Sequence, residues 1–156
     1  MNFWRALIVV IFCLNAGAVA AASDLVARAA WVRAAPPGAT VLAAYLTIEN
    51  NSARSRVLRS VSSPRFERVE LHRSELRDGV ATMSMQSHLA IAAHARLRFA
   101  PNAYHLMLIG PRQALHPGDS VVLQLHFDGG VRLPVRAVVR ADTATVNTPA
   151  PHSPSH

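Results

Sequence analysis

The residues of this 156-residue sequence that are best suited to bind a metal are methionines and histidines with a regular spacing. After the initiator, the methionines are Met83, Met85 and Met107, which all fall within a stretch of 25 residues. His105 and Met107 stand two positions apart, and a β-strand would place them on the same face, about 6.5 Å apart along the chain. The alternate residues Leu106 and 108 would then point into a core. Met83 and Met85 repeat this two-residue spacing.

Thioether sulfur and imidazole nitrogen together favour a particular class of metal. Neutral, soft sulfur suits Cu(I), whereas Zn²⁺ usually recruits thiolates or carboxylates beside histidine. His72 precedes the turn signal Asp78–Gly79, which predicts that it lies on the hairpin strand opposite Met83 and Met85. The histidines must be neutral to bind, so affinity should weaken below their pKa. Methionine also serves as core filler, and single histidines are often solvated. Spacing alone therefore leaves open both a soft-metal site and ordinary packing.

The stretches that must position these residues have the pattern of short strands. Apolar segments separated by Gly, Pro, Asn and Asp predict a largely β chain from about residue 25 to residue 140. No long segment has the helical period, and this combination predicts an all-β sandwich or a small barrel. The predicted strands are 41–48, 56–62, 68–72, 80–86, 96–99, 104–109, 120–127 and 131–139.

The N-terminal segment has the pattern of an export signal. A basic residue precedes the nine-residue apolar run Ala6–Leu14, and a stretch of small residues follows it. This pattern predicts a cleaved signal peptide over residues 1–22, with no permanent membrane anchor. A lipoprotein anchor at Cys13 is the competing interpretation, and the bulky Phe12 before it argues against that processing. Because Cys13 is the only cysteine, the mature protein would work without thiols in an exported compartment such as the periplasm.

The C-terminal residues 141–156 have a different composition. They are rich in Thr, Pro and Ser and lack core residues, which predicts a flexible tail. Its two histidines, His152 and His156, are weak candidates for a second copper ion, as Cu(II).

The charge of the chain gives little support for a nucleic-acid partner. Sixteen basic residues, all arginine, stand against nine acidic ones, giving a formal net charge of +7. The arginines are scattered, with no basic run and no aromatic interleaving.

The spacing of the candidate ligands resembles the signature of the PCu(A)C family of periplasmic copper chaperones. His72 is followed after ten residues by Met83, and after twenty-one more by His105 and Met107 as His-x-Met. That is the family's pattern at all four positions. Further similarity lies in Val69–His72, Ala30–Arg33 with Pro36–Gly38, Ala43–Ile48 and Pro117–Asp119, so that the resemblance covers about residues 30–139.

This resemblance implies a fold and a function. The expected fold is a cupredoxin-like Greek-key β-sandwich, a single domain over residues 23–140, that binds one Cu(I) through His72, Met83, His105 and Met107. Met85 is a possible additional ligand. The protein would be a monomer and not an enzyme. It would pass copper to a haem–copper (cytochrome c) oxidase subunit, directly or through a thiol-bearing copper chaperone.

The sequence leaves two other functional classes to weigh against a copper chaperone. A blue-copper electron carrier is disfavoured because that site needs a cysteine ligand. The remaining alternative is a metal-free periplasmic β-sandwich that acts as an interaction or assembly module through its methionines.

Some positions depart from the family pattern. Arg73 follows His72 and is expected to bring a cation close to bound copper. Pro101–Ala103 replaces the commoner Pro-Gly-Gly before His105. Carboxylates near His72 are interpreted as a solvated face; these are Glu67, Glu70 and Glu75. The other histidines are expected at the surface or in turns; these are His88, His94, His116 and His126.

Overall fold

The computed structural model describes residues 24–141. The predicted signal peptide, Cys13 and the two tail histidines lie outside the described residues. Among residues 24–141, no helix has the length and apolar character needed to cross a membrane. The strands are β1 (Leu25–Arg33), β2 (Val41–Asn50), β3 (Arg56–Ser62), β4 (Phe66–Arg77), β5 (Val80–Gln86), β6 (Leu89–Ile91), β7 (Arg96–Arg98), β8 (Tyr104–Pro111), β9 (Ser120–Phe127) and β10 (Arg132–Arg140), with a 3-10 turn at Asp128–Gly130.

These strands form one sheet that closes on itself. The strand order is β5-β4-β8-β2-β1-β10-β9-β3-β6, and β7 pairs with β2. Closure comes from an additional pairing of β3 with β4, where Val61 lies opposite Val69. The closed part thus runs from β4 round to β3, and β5 continues beyond it as an edge strand. The all-β prediction is confirmed, with the sheet closed as a barrel of the sandwich type.

The core lies inside the closed sheet and follows the two-residue alternation of the strands. On β9 the side chains alternate strictly, with apolar residues at every buried position and mostly polar residues facing outwards. On β8, Leu106 and Leu108 are buried, as the alternation in the sequence predicts. Full burial of each such leucine contributes roughly 1.5–3 kcal/mol relative to exposure. Most buried residues are aliphatic, and the polar exceptions among the described residues are Asn50 and His105.

The hairpin of β4 and β5 is longer than the sequence predicts. Residues 68–72 were the expected strand, but β4 extends to Arg77 and remains paired with β5 as far as Val80. The expectation of an early end was wrong because the backbone of this segment pairs with β5, while its charged side chains pair with one another at the surface and need no core. The predicted turn is confirmed: Asp78 and Gly79 have φ of 51° and 78°, as a tight two-residue hairpin requires. A further short strand, β6, was not predicted from the sequence.

Asn50 holds the end of β2 to two neighbouring loops. Its side chain is 1% exposed, and its Nδ2 donates to the carbonyl oxygens of Arg54, Ile91 and Ala92 at 2.8–3.1 Å. Its Oδ1 accepts from the backbone and hydroxyl of Ser52. A buried side chain with this many partners fixes the loop geometry, since each lost partner leaves a buried polar group unpaired.

We expect Asn50→Ala to lower the free energy of unfolding by about 2–3 kcal/mol, because it orphans buried carbonyl oxygens. Urea denaturation at pH 7 measures this loss. The matched control is Asn51→Ala, since Asn51 is exposed and bonds Asp24 only through its backbone amide. Equal stability of the two variants would contradict the structural role of Asn50.

Glu49 joins three strands by charge. Its carboxylate accepts from Arg28 Nε of β1 at 2.8 Å and lies 3.1 Å from Arg96 Nε of β7. The hydrogen bond from Arg28 is the main cause that holds the pKa of Glu49 below its ordinary value, and the charges of Arg28 and Arg96 add to it.

A depressed carboxyl pKa contributes stability that is present above the ordinary pKa of 4.5 and lost as pH falls through the folded value. We therefore expect Glu49→Gln to be less stable than the wild type at pH 7, and the difference to shrink as pH falls below 4.5. Urea denaturation at several pH values measures it. A difference that does not change with pH would show that it does not arise from the carboxylate charge.

Candidate metal centre

The predicted ligands are brought together on one face of the sheet at the β5 edge. His72 of β4 lies directly opposite Met85 of β5 and directly opposite His105 of β8. Met83 and Met107 stand two residues from Met85 and His105, and therefore share their face. We call this surface the site face, defined by His72, Met83, Met85, His105 and Met107.

The opposite face of the same strands fills the core. Leu71, Leu106 and Leu108 alternate with the site residues and are at most 4% exposed. Because a strand turns successive side chains to opposite faces, burial of these leucines fixes the site residues on the outside of the barrel. The predicted separation of His105 and Met107 from Leu106 and Leu108 is confirmed.

The methionines flank a row of imidazoles. Met83 lies opposite Ser74, and Met107 lies opposite Glu70, so these two thioethers fall on either side of the row that holds both histidines. Met85 lies in that row, next to His72. The rings of His72 and His105 are adjacent, with centroids 5.8 Å apart and planes tilted by 34°.

A cleft of about 440 Å³ opens on this face. Met83, His105 and Met107 line it, together with the small residues Ser74 and Ala43. Since Ser74 and Ala43 lie opposite Met83 and Met107 respectively, the small side chains leave room for the long thioethers to reach inwards. Met83 therefore belongs to the cleft, whereas Met85 and His72 do not line it.

Burial differs sharply across the site. His105 is 6% exposed, while Met83 and Met85 on the edge strand are 57% and 67% exposed. The imidazole of His105 is thus shielded from solvent within the cleft, on the outer face of the sheet. The thioethers of β5 are reachable from solvent.

Each histidine uses one ring nitrogen for a hydrogen bond within the protein. His72 Nε2 lies 2.9 Å from Glu70 Oε2, and its Nδ1 is buried without a hydrogen-bond partner among the described residues. His105 Nδ1 lies 3.0 Å from the carbonyl oxygen of Ala103, which leaves Nε2 without a hydrogen bond in the described chain. Both rings therefore keep one nitrogen for a further partner.

Glu70 is held as a carboxylate. The hydrogen bond from His72 and then that from Arg68 Nε, at 2.9 Å, keep the pKa of Glu70 below its ordinary value. Its interpretation as part of a solvated face was wrong, because it bonds a candidate ligand directly. A residue two before a histidine on a strand shares its face, and this was the signal in the sequence that could have identified it.

The donor set fits a soft, monovalent ion. Among residues 24–141, no group of three or more His, Cys, Asp or Glu side chains is arranged to hold a metal. The uncharged donors that the site face offers beside the two imidazoles are thioether sulfurs. That combination fits Cu(I) and is poor for Zn²⁺ or Mg²⁺.

Arg73 does not lie where the sequence suggested. It pairs with Tyr104 across β8, its guanidinium carbon lies 5.3 Å from the Tyr104 ring centroid, and its Nε lies 2.9 Å from Glu75. One residue along a strand reverses the face, so the expected cation beside the metal was wrong. Its charge faces away from the site.

The remaining described histidines are not part of this site. His88, His94 and His116 are exposed, and His126 bonds the hydroxyl of Ser62 at 2.8 Å. Their prediction as surface or turn residues is confirmed.

The chain matches the family model described as "Putative lipoprotein LpqE-like" over residues 25–139. A curated relative from Leifsonia xyli subsp. xyli, called "Putative lipoprotein Lxx21020", is 30% identical over 71% of this chain. The match spans 66% of that relative's length.

Solved structures with the same fold are PCuAC domains. The solution structure of CuI-DR1885 from Deinococcus radiodurans has a TM-score of 0.64 and 29% identity, and covers 81% of this chain and 85% of its own. The copper-bound PCuAC domain from PmoF2 has a TM-score of 0.64 and 21% identity, and covers 76% of this chain and 93% of its own. These matches confirm the resemblance to the PCu(A)C family and its cupredoxin-like fold.

The loop before His105 yields a prediction. Asn102 has φ of 61°, a left-handed conformation that glycine adopts freely and a β-branched residue does not. We expect Asn102→Gly to stay within about 0.5 kcal/mol of the wild type and Asn102→Val to lose about 1–2 kcal/mol, measured by urea denaturation. Asn102 is exposed, so packing does not confuse the comparison. Equal stability of the two variants would contradict the strained geometry.

Proposed function

The chain belongs to the LpqE-like family, and from that premise we propose that it is an exported copper carrier. In this proposal the site face binds one Cu(I) ion as cargo through His72, Met83, His105 and Met107. The ion is then passed to a partner protein. No chemical transformation of the cargo is required of this chain.

The observation that carries the proposal is the state of the two adjacent imidazoles. Within residues 24–141, each ring has one nitrogen engaged in a hydrogen bond and one nitrogen without a hydrogen-bond partner, and the unpartnered Nδ1 of His72 is buried. A buried polar atom without a partner is unfavourable, and a metal bond would relieve it. The thioethers beside it are the ligands that select Cu(I) over harder ions.

The relatives support the same cargo. The Deinococcus radiodurans protein was solved as a Cu(I) form, and the PmoF2 domain was solved with copper bound. The first shares 29% of its aligned residues with this chain. The spacing of His72, Met83, His105 and Met107 matches the family signature, and these residues share one face here.

The burial gradient supports transfer rather than permanent storage. His105 lies inside the cleft, whereas Met83 and Met85 lie on an edge strand with more than half of each residue exposed. A partner thiolate or thioether can reach the ion from the β5 side and replace an exposed sulfur while the imidazoles still hold the ion. The proposed recipient is a haem–copper oxidase subunit or a thiol-bearing copper chaperone.

The proposed location is outside the cytoplasm. The family model and the Leifsonia xyli relative are both described as lipoproteins, which supports export. The residues around Cys13 favour a cleaved signal peptide over an anchor in this chain. Binding of a second copper ion, as Cu(II), by His152 and His156 stays a prediction.

A second candidate function is metal-free interaction through the same edge. It is favoured by the exposed apolar side chains at the end of the β4–β5 hairpin, where Leu76 is 75% and Val80 is 62% exposed. Such a patch is typical of a contact surface. It does not explain the two imidazoles with unpaired nitrogens.

We expect one equivalent of Cu(I) to bind the wild-type protein in an anaerobic titration against a chromophoric chelator. The double variant Met83→Leu with Met107→Leu should weaken binding by at least about tenfold, since leucine keeps the volume and apolar character but removes the sulfur. Met85→Leu should have a smaller effect, because Met85 is not part of the four-residue spacing and, unlike the thioethers of Met83 and Met107, it does not line the cleft.

Circular dichroism of the apo proteins serves as the control for folding. A folded wild-type protein that does not compete for Cu(I) would overturn the copper proposal and leave the interaction module. An equal loss in Met85→Leu and Met83→Leu would instead mean that the exposed thioether of Met85 also binds the ion.

A further inference from the structure

We propose that Glu70 is a positioning residue that fixes the tautomer of His72, so that His72 offers Nδ1 and His105 offers Nε2 to the metal. The part that concerns the metal rests on the proposed function. The part that concerns the tautomers applies to the metal-free protein and stands without it.

The first step is the geometry along β4. Arg68, Glu70 and His72 stand two residues apart and share the site face. Glu70 Oε2 lies 2.9 Å from His72 Nε2, and Glu70 Oε1 lies 2.9 Å from Arg68 Nε. The carboxylate is therefore held at both oxygens, and its position relative to the His72 ring is fixed from the side away from Met83.

The second step is the proton on His72. A carboxylate only accepts hydrogen bonds, so the nitrogen facing Glu70 must carry the hydrogen. In a neutral imidazole with Nε2–H, the lone pair is on Nδ1. That atom is the one that is buried without a hydrogen-bond partner among the described residues.

The third step is the contrast with His105. Its Nδ1 faces the carbonyl oxygen of Ala103 at 3.0 Å, and a carbonyl oxygen also only accepts. His105 therefore carries its hydrogen on Nδ1 and keeps its lone pair on Nε2. The two adjacent rings hold opposite tautomers, each set by a different acceptor.

The consequence for the metal is pre-organisation. A carboxylate behind a ligating histidine fixes the ring orientation and raises the basicity of the other nitrogen, and loss of such a partner typically costs 10–100-fold in metal affinity. Glu70 also brings a negative charge to a site whose four proposed ligands are neutral. Glu70 does so without coordinating the metal, because its two carboxylate oxygens already bond to His72 and Arg68.

The first experiment uses the metal-free full chain. Long-range ¹H–¹⁵N NMR of ¹⁵N-labelled imidazoles at pH 8 reports which ring nitrogen carries the hydrogen. We expect Nε2–H on His72 and Nδ1–H on His105. In Glu70→Ala the His72 signals should shift towards a mixture of tautomers while those of His105 stay unchanged. A wild-type His72 with Nδ1–H would overturn the inference.

The matched control is Glu75→Ala on the same strand. Glu75 also pairs with arginines, Arg73 and Arg77, but it lies on the opposite face from His72. We expect it to leave both imidazole tautomers unchanged. A change of the His72 tautomer in Glu75→Ala equal to that in Glu70→Ala would show a general effect of strand disruption and contradict a specific role for Glu70.

The second experiment adds Cu(I) to the same variants. Glu70→Ala should bind 10–100-fold more weakly than the wild type, Glu70→Gln should fall between them because its amide oxygen still accepts from Nε2–H, and Glu75→Ala should match the wild type. In the wild-type protein with Cu(I) bound, the largest changes in ¹⁵N chemical shift relative to the metal-free protein should occur at His72 Nδ1 and His105 Nε2.

These outcomes separate the two proposals. Copper-induced shifts at His72 Nε2 would mean that Glu70 must leave for the metal to bind, which overturns this inference and keeps the copper function. No binding of Cu(I) to the folded wild type would overturn the proposed function and the metal part of this inference. The tautomers in the metal-free protein would then still decide whether Glu70 positions His72.

Discussion

The direct pairing of His72 with His105 across β4 and β8 is the constraint on which the rest of the structure depends. In a sheet, a slip of one residue turns every side chain to the other face. Such a slip of β4 or of β8 would drive the imidazole of that strand inwards and expose its leucine, Leu71 or Leu106, which is now buried. The hydrophobic free energy of the core therefore sets the register, and the register places the candidate ligands. Stability and function act on the same strands through opposite faces.

Closure of the barrel protects this register. β4 is bonded on one side to β8 and, near its start, to β3 through Val61 and Val69. Beyond that point the hairpin with β5 leaves the barrel and has no core of its own, so that Met83 and Met85 are exposed. The site is thus built across a boundary: His105 belongs to the rigid barrel, whereas the thioethers of β5 belong to its projecting edge. A site for cargo needs this combination, since one side must hold the ion and the other must admit a partner.

The local pattern of the sequence is enough to predict most of the strands and the residues of the site face. Alternation identifies His105 and Met107 as outward residues that alternate with the buried Leu106 and Leu108, and Asp78–Gly79 identifies the hairpin turn without any structure. Pairings between distant segments were beyond this reasoning. The contact of β3 with β4, the added length of β4 and the short β6 all depend on partners far along the chain. Arg73 follows His72 in the sequence but lies on the opposite face, because neighbouring residues on a strand face opposite ways.

The distribution of charge around the site favours an ion of low charge. Glu70 is the carboxylate that touches a candidate ligand, and it is shared between His72 and Arg68. Arg73 and Arg77 are paired with Glu75 on the other face. A divalent ion held by neutral imidazoles and thioethers would bring two positive charges to a half-buried cleft with one carboxylate that is already engaged. Cu(I) would bring one charge, and its preference for sulfur matches the remaining ligands. In the proposed copper site, the arrangement that pre-organises His72 therefore also disfavours the harder, more highly charged metals.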